Sequence, residues 1–521
     1  MPLFSDLIEL LAGSPEGSIE TTVCVIGSGP AGAIVAVELA KAGIDVVLLE
    51  AGSSHPDHDI SSGLDRVDVS GGTELNFGFS RQLGGATNLW SGRLAQFEPI
   101  DFERRDWVPN SGWPISAREL ERYYARSGSI LGVPDPTPFR EHVDSRGSLL
   151  PSDTIDIKSF QWARKPFHAG KYIRSAAAQS KRLRVILTAR VTLLEESENG
   201  QLVETAAIAL PNGRLARVRA RCFVVAAGGI ESPRLLLNSN AVRPAGIGND
   251  HDVVGRYLST HPKANMGSLI LDQRISTNHP LFSDRSLAGG VTRYGLGLAA
   301  PVQEKHRLLN HYVQLLPLLE HQANRLFEKI RGARSVTSPL VDRTPLIRGV
   351  VPGLGLLAFD AIGRLGGAQR RASKFVLRAF LDQYPNQANR VTLSEARDKT
   401  GMPKANIKWT FTEDDHRSVI AFFEILDHDI RSRGLGRIDY DRLKASTDWP
   451  LTGIHSHFMG TTRMGDDPGT SVTTAHGQVH GSHNLFVAGP SLFPVYGYAN
   501  PVYTITALSL RLADHLKERL L

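Results

Sequence analysis

The stretch TTVCVIGSGPAGAIVAVELAKAGIDVVLLEAG, residues 21–52, leaves a chain little choice of local fold. Val23, Val25 and Ile26 make a short apolar strand, and Gly27-Ser28-Gly29-Pro30-Ala31-Gly32 then sets glycines in the order G-x-G-x-x-G. A helix runs on through Ala33–Lys41, Gly43 ends it, and DVVLLE reads as a second strand. Each glycine has its own reason. Gly27 permits the tight turn, Gly29 lets a pyrophosphate lie against backbone, and Gly32 lets helix and strand pack closely. The helix start turns its positive end toward the phosphates. Glu50 closes the second strand, 23 positions after Gly27. A carboxylate there accepts both hydroxyls of an adenosine ribose and repels a 2′-phosphate. The glycines alone are a weak signal. Strand, helix and acid together predict a dinucleotide site for FAD or NAD, with NADP disfavoured.

No second fingerprint of this kind occurs. ARCFVVAAGGIESPRLLLNS, residues 220–239, is a strand ending in glycines before a helix, but its spacing is wrong for another nucleotide. A single cradle argues against an enzyme that passes electrons between a nicotinamide and a flavin. At 521 residues the chain is too long for one ordinary core and predicts two or three interleaved domains. Its only thiols, Cys24 and Cys222, sit in apolar runs, which excludes an iron–sulfur cluster, a Cys-rich zinc site and a disulfide framework. The first residues, MPLFSDLIELLAGSPEGSIE, show no basic n-region, twin arginine or sustained apolar core. No apolar run reaches the ~18 residues of a bilayer span, so a cytoplasmic protein is expected. The net charge of +6 is uneven, because residues 301–380 hold 13 Lys and Arg against 5 Asp and Glu. With the apolar run VVPGLGLLAFDAIGRLGG (350–367), this admits contact with membrane lipid or a phosphate-bearing substrate. The plainer expectation is a solvated helical excursion. Aromatics do not interleave with these charges, so nucleic acid is not expected as a partner.

Four stretches together resemble the glucose–methanol–choline (GMC) oxidoreductases, the FAD-dependent alcohol-oxidising family. They are the fingerprint above, RQLGGATNLWSGRL (81–94), VVAAGGIESPRLLLNS with VVGRYLSTHP (253–262), and the run from His455 to Leu510. NRVTLSEARDKTGMPKANIKW (389–409) is more weakly similar, and 270–380 shows little likeness. The resemblance implies an α/β fold in two parts. A Rossmann-like FAD-binding domain comes from 18–265 and 440–521, and a mostly antiparallel-sheet substrate domain from 266–439. The basic helical insertion at 301–380 then serves as a lid or an oligomer contact. NLFVAGPSLFPVYGYANP (484–501) is most similar to bacterial sugar-oxidising members and pyranose oxidases, which implies a carbohydrate hydroxyl as substrate. Pyranose oxidases carry a histidine before the tryptophan of the glycine loop, covalently bonded to flavin. Here Leu89 precedes Trp90, which implies non-covalent FAD.

Alcohol oxidation by a flavin needs a base at the hydroxyl proton while a hydride leaves the same carbon. Histidine suits this at neutral pH, and a second polar group fixes the oxygen. The family's H-x-x-G-T pattern falls on His457, Gly460 and Thr461, which implies His457 as base. The partner position, His or Asn in the family, falls on Asn500. His455 has no match and reads as an exposed loop side chain or a residue behind the site. A metal on His455 and His457 would need neighbouring acids or thiols, and none precedes Asp466, so no metal is expected. His476, His480 and His483 read as surface loop, and His261 as structural. Pro501 suits the first turn of a helix through VYTITALSLRLADHLKERL. That helix start would stabilise anionic reduced flavin by ~1 kcal/mol. Further expected FAD contacts are Ser28 and Ala31 in the phosphate turn, Gly84, Ala86 and Asn88 in the glycine loop, Val191 at the adenine, Gly489, and Asn500 with Pro501. The expected reaction is oxidation of a sugar, glycoside or sugar-like alcohol to a carbonyl, with O2 or a quinone or dye as acceptor. The alternatives are an aryl or terpenoid alcohol, or a flavin-bearing lyase that cleaves cyanohydrins.

Overall fold

The computed structural model describes residues 5–6, 18–55, 67–70, 80–133, 150–209, 215–287, 290–318, 371–446, 448–449, 451 and 457–521. One sheet carries the nucleotide fingerprint. Its strands run β1 (Ser5–Asp6), β6 (Leu183–Leu187), β3 (Val46–Leu49), β2 (Ser18–Ile26), β9 (Leu215–Val225), β8 (Val203–Ala209) and β7 (Val191–Glu196), with β18 (Leu485–Val487) also on β9. β2 pairs parallel with β3 and β9, while β7 and β8 extend the sheet antiparallel. Val23, Val25 and Val46–Leu49 are wholly buried, which is why these strands read as unbroken apolar runs and not as alternations. Helix α1 (Pro30–Lys41) covers β2 and β3. The last helix, α4 (Val502–Leu520), packs on α1 and on α2 (Ala117–Leu131). Chain from both ends thus builds one core.

A second sheet is antiparallel throughout. Its order is β11 (Arg285–Leu287), β12 (Gly290–Leu298), β13 (Tyr312–Pro317), β14 (Arg371–Phe380), β10 (Lys263–Ser276) and β17 (Gly436–Asp439), with β5 (Ile155–Ala163) on β12. Ala264, Leu315 and Leu377 belong to a core shared with Phe422, Phe423 and Leu426 of α3 (Glu413–Ser432). Phe160, Tyr312 and Phe380 instead join the core of the first sheet. A third, small sheet holds β15 (Arg390–Arg397), β16 (Pro403–Lys408) and β4 (Val67–Ser70). Among the described residues no helix is long and apolar enough to cross a membrane.

Two expectations need redrawing. Strand β5, inside the 18–265 stretch, pairs with β12 along its whole length, and the 265/266 boundary falls within β10. The described part of the insertion at 301–380 is only briefly helical: after the short helix Ala300–His306, Tyr312–Pro317 and Arg371–Phe380 are neighbouring strands. YVQLLP is buried at every position, and a run of that length fits between two strands where a helix would need more residues. Residues 319–370, including the apolar 350–367 run and the surface-contact reading placed on it, lie outside the described residues.

Candidate active site

Close approaches that only glycine tolerates build the phosphate turn. Gly27 has φ +105°, and a Cβ there would sit 2.6 Å from the Ala226 carbonyl oxygen. A Cβ on Gly32 would overlap the Gly27 carbonyl oxygen, so α1 lies directly on the strand end. At Gly29 a Cβ would meet nothing within 4 Å, which leaves an open face at the first turn of α1. Ala31 is buried and can offer a ligand only backbone. The glycine loop closes over this turn: Gly84 N donates to Ser28 Oγ at 3.0 Å, and a Cβ on Gly85 would lie 3.0 Å from Gly29 Cα. Ala86 is exposed at the loop's crest. Asn88 Nδ2 donates to the Leu83 and Gly85 carbonyls at 3.2 and 2.8 Å, so this side chain shapes the loop. Leu89 is 59% exposed, a high value for leucine and one that leaves it free to cover a planar ligand.

Glu50 is buried at the end of β3. Its Oε2 accepts from Ser28 N at 3.1 Å and from Ser28 Oγ, and its Oε1 accepts from Gly52 N at 2.8 Å. Burial raises its pKa, and these hydrogen bonds oppose the rise. Ala189 N donates to the Glu50 carbonyl at 2.8 Å, which ties the end of β3 to the turn that leads into β7 at Val191. Gly489, with φ +119°, follows β18, and a Cβ there would stand 3.7 Å from Ala31 Cβ. An open glycine face at a helix start, a fixed carboxylate and a covering loop fit a dinucleotide.

A hydrogen-bond chain ties the predicted base to the turn that leads to Asn500. His457 Nδ1 lies 3.1 Å from His261 Nδ1, and His261 Nε2 lies 3.0 Å from the Gly497 carbonyl oxygen. A carbonyl oxygen only accepts, so His261 carries its proton on Nε2 and presents a lone pair at Nδ1. His457 therefore donates from Nδ1, and its Nε2 is left as an acceptor. Both rings stay neutral. Burial, then the Lys263 charge, pushes His261 down to about 3, and burial, Lys263 and His261 hold His457 well below 6.5. Asn500 Nδ2 donates to the Arg93 carbonyl at 3.0 Å, while its Oδ1 is buried without a hydrogen-bond partner. A buried orphan acceptor is costly unless a ligand hydroxyl completes it. Pro501 precedes α4 with φ −74°, and its carbonyl accepts from Ile505 N at 2.8 Å, so the helix begins where expected.

His261 thus ties the predicted base to the Gly497–Asn500 turn, a link that sequence reading missed. The two histidines are 196 positions apart, and no spacing signals the pair. Lys263, next on β10, was also missed. His476 stacks on His515 at 4.2 Å and His480 bonds Ser471 at 3.0 Å, both away from this cluster, and His455 lies outside the described residues. A surface cleft of about 380 Å³, lined by Arg118, Arg122, His476, Arg511 and His515 among others, contains none of the candidate cofactor or catalytic residues and is lined mainly by charged side chains. It is not the site.

The sequence matches the FAD dependent oxidoreductase family over residues 22–366 and the GMC oxidoreductase family over 385–509. A 2-methyl-1,2-propanediol dehydrogenase of Mycolicibacterium austroafricanum is 26% identical, covering 96% of each chain. A C-glycoside 3-oxidase of Microbacterium trichothecenolyticum is 25% identical over 85% of this chain and 76% of the relative. The solved structure of an FAD-dependent oxidoreductase from Chaetomium thermophilum shares the fold, with TM-score 0.57 and 15% identity over 96% of this chain and 99% of that one.

Proposed function

Because the chain belongs to the FAD-dependent oxidoreductases, in their glucose–methanol–choline branch, and so acts on an alcohol, we propose that the alcohol is a hydroxyl of a sugar, glycoside or sugar-like molecule. The Gly497–His261–His457 hydrogen-bond chain carries the site assignment, because it leaves one imidazole nitrogen in the acceptor state. His457 Nε2 takes the hydroxyl proton, and Asn500 fixes the alcohol oxygen by donating the second Nδ2–H, while its Oδ1 accepts from a neighbouring hydroxyl of the substrate. FAD, when bound, supplies the acceptor for the hydride leaving that carbon. Gly27, Ser28, Gly29, Ala31 and Gly32 would form its phosphate cradle, Gly84, Ala86 and Asn88 the glycine loop packing on it, Glu50 its ribose contact and Val191 its adenine contact. Gly489, Asn500 and Pro501 would border its ring. Leu89 in place of a histidine supports a non-covalent attachment. The first and second sheets correspond, in this reading, to cofactor and substrate domains. Two buried unpaired thiols fit a reducing, cytoplasmic setting.

Glu50→Gln replaces one carboxylate oxygen with an amide donor that opposes Ser28 N–H. FAD affinity should fall about tenfold to a hundredfold, the usual effect of losing a hydrogen bond to a charged group. Titration of apoprotein with FAD, followed by flavin fluorescence, reads this directly.

The function itself is tested by mixing the yellow protein without oxygen with monosaccharides, glycosides, aryl alcohols and terpenoid alcohols. Sugars and glycosides should bleach the flavin band. Bleaching by non-sugar alcohols alone would replace the sugar reading with the one that the propanediol dehydrogenase relative favours. Cyanohydrin cleavage with no bleaching would leave a lyase. Re-oxidation by air or only by a dye then separates an oxidase from a dehydrogenase.

A further inference from the structure

The second sheet carries a concentration of positive charge whose field reaches His457. Lys263 stands opposite Phe380, and Asn265 opposite Arg378, so Lys263 and Arg378 are diagonal neighbours on one face of β10 and β14. Lys263 Nζ lies 5.1 Å from the Phe380 ring centre. The Phe160 and Phe380 rings meet at 5.3 Å, which puts Phe160 and, two residues on, Trp162 of β5 on that same face. Over Trp162, at 5.1 Å, lies the Arg93 guanidinium, whose own carbonyl holds Asn500.

Electrostatic coupling ties these groups to the site. Burial, then Arg378 and Arg93, pushes Lys263 down to about 8, and the Lys263 charge in turn bears on both His261 and His457. Arg293 and Asp284 also act on Arg93, but Asp284 is bonded to Arg293 at 3.2 Å. Among the described residues neither Arg93 nor Arg378 has an ion pair. Like charges side by side on a half-buried sheet face destabilise the fold unless an anion completes them.

We propose that Arg93 and Arg378, with Lys263 beside them, form a subsite for a carboxylate or phosphate on the alcohol substrate, so that acidic sugars are preferred over neutral ones. The guanidinium forks suit planar oxyanions held by paired N–H donors. An anion placed here also offsets the positive field on His457, so the proton acceptor becomes more basic when such a substrate is seated. The subsite rests on the alcohol-oxidising reading above and narrows it.

The test uses matched pairs on the FAD-loaded enzyme: a neutral hexoside against the corresponding uronic acid, and a neutral hexose against its 6-phosphate. Anaerobic flavin reduction should favour the anionic member by about tenfold or more, and added salt should erode the preference. The two pairs tell carboxylate from phosphate. Arg378→Met should bring the ratio toward one, and Arg378→Glu should invert it in favour of an amino sugar, with FAD content reporting that each variant is folded. Equal rates for neutral and acidic sugars would overturn the subsite and leave alcohol oxidation standing. If no alcohol reduces the flavin, the function reading fails, and the subsite is judged on binding alone. Saturable perturbation of the flavin spectrum by a uronate or a hexose phosphate, lost in Arg378→Met, would support it; no perturbation would overturn it.

Discussion

His457→Ala should lower kcat by about 10²–10⁴-fold, the usual contribution of a positioned general base, while FAD remains bound. No described contact links His457 to the glycine turn, so loss of the ring should not disturb the cradle. The pH profile gives a second, independent signature. His457 is held well below 6.5 by burial first, then by Lys263 and His261, so its neutral form dominates at pH 7. A base with a lowered pKa loses activity only when the pH drops far enough to protonate it. Wild-type kcat/KM should therefore stay level from neutral through pH 6.5 and decline only at lower pH. In His457→Ala that acid limb should vanish along with most of the rate. A variant that keeps both near-normal turnover and the acid limb would remove His457 from the chemistry.

Residues 21–50 were legible because everything they need is local. Gly27, Gly32 and Glu50 are explained by contacts with their own turn, helix and strand, apart from Ala226, whose carbonyl crowds Gly27 and whose methyl crowds Gly32. The start of α4 was legible for a similar reason, since Pro501 and the apolar period after it are contiguous. His457 came from pattern resemblance and not from any local property, and the structure adds its partner. His261 was read as structural because a histidine before a proline says nothing about which residue its ring will face. Its role depends on the Gly497 carbonyl, 236 positions away.

The sheet memberships failed in an instructive way. IDIKSFQWA reads as a strand whose alternation is interrupted at Lys158-Ser159, and such a pattern does not name the partner strand; β5 went to the second sheet. At 301–380 the net charge was averaged across a stretch that contains two buried strands, so a property of the whole obscured YVQLLP and KFVLRAF. Arg378 illustrates the cost of that averaging. Counted as one of many surface cations, it is in fact placed on the sheet face opposite Asn265, in the charge network that reaches His457 through Lys263.

Removal of His261 should come close to removal of His457 in its effect. His261→Leu leaves the His457 Nδ1–H buried without an acceptor, and the ring gains by carrying its proton elsewhere or by turning. A tautomer with hydrogen on Nε2 cannot accept the substrate proton, and a base held in the wrong tautomer loses about 10²–10⁴-fold in kcat. KM should change little, because no substrate contact is removed. The acid limb should also move. His261 is one of the groups lowering His457, so without it the His457 pKa returns toward 6.5 and the decline in kcat/KM begins at higher pH. His261→Asn can donate to the Gly497 carbonyl while its amide oxygen accepts from His457 Nδ1, and it should recover most of the lost rate. A purely structural His261 would give a different result: both variants would lose FAD and thermal stability together, and the acid limb of the surviving enzyme would stay where it is in the wild type.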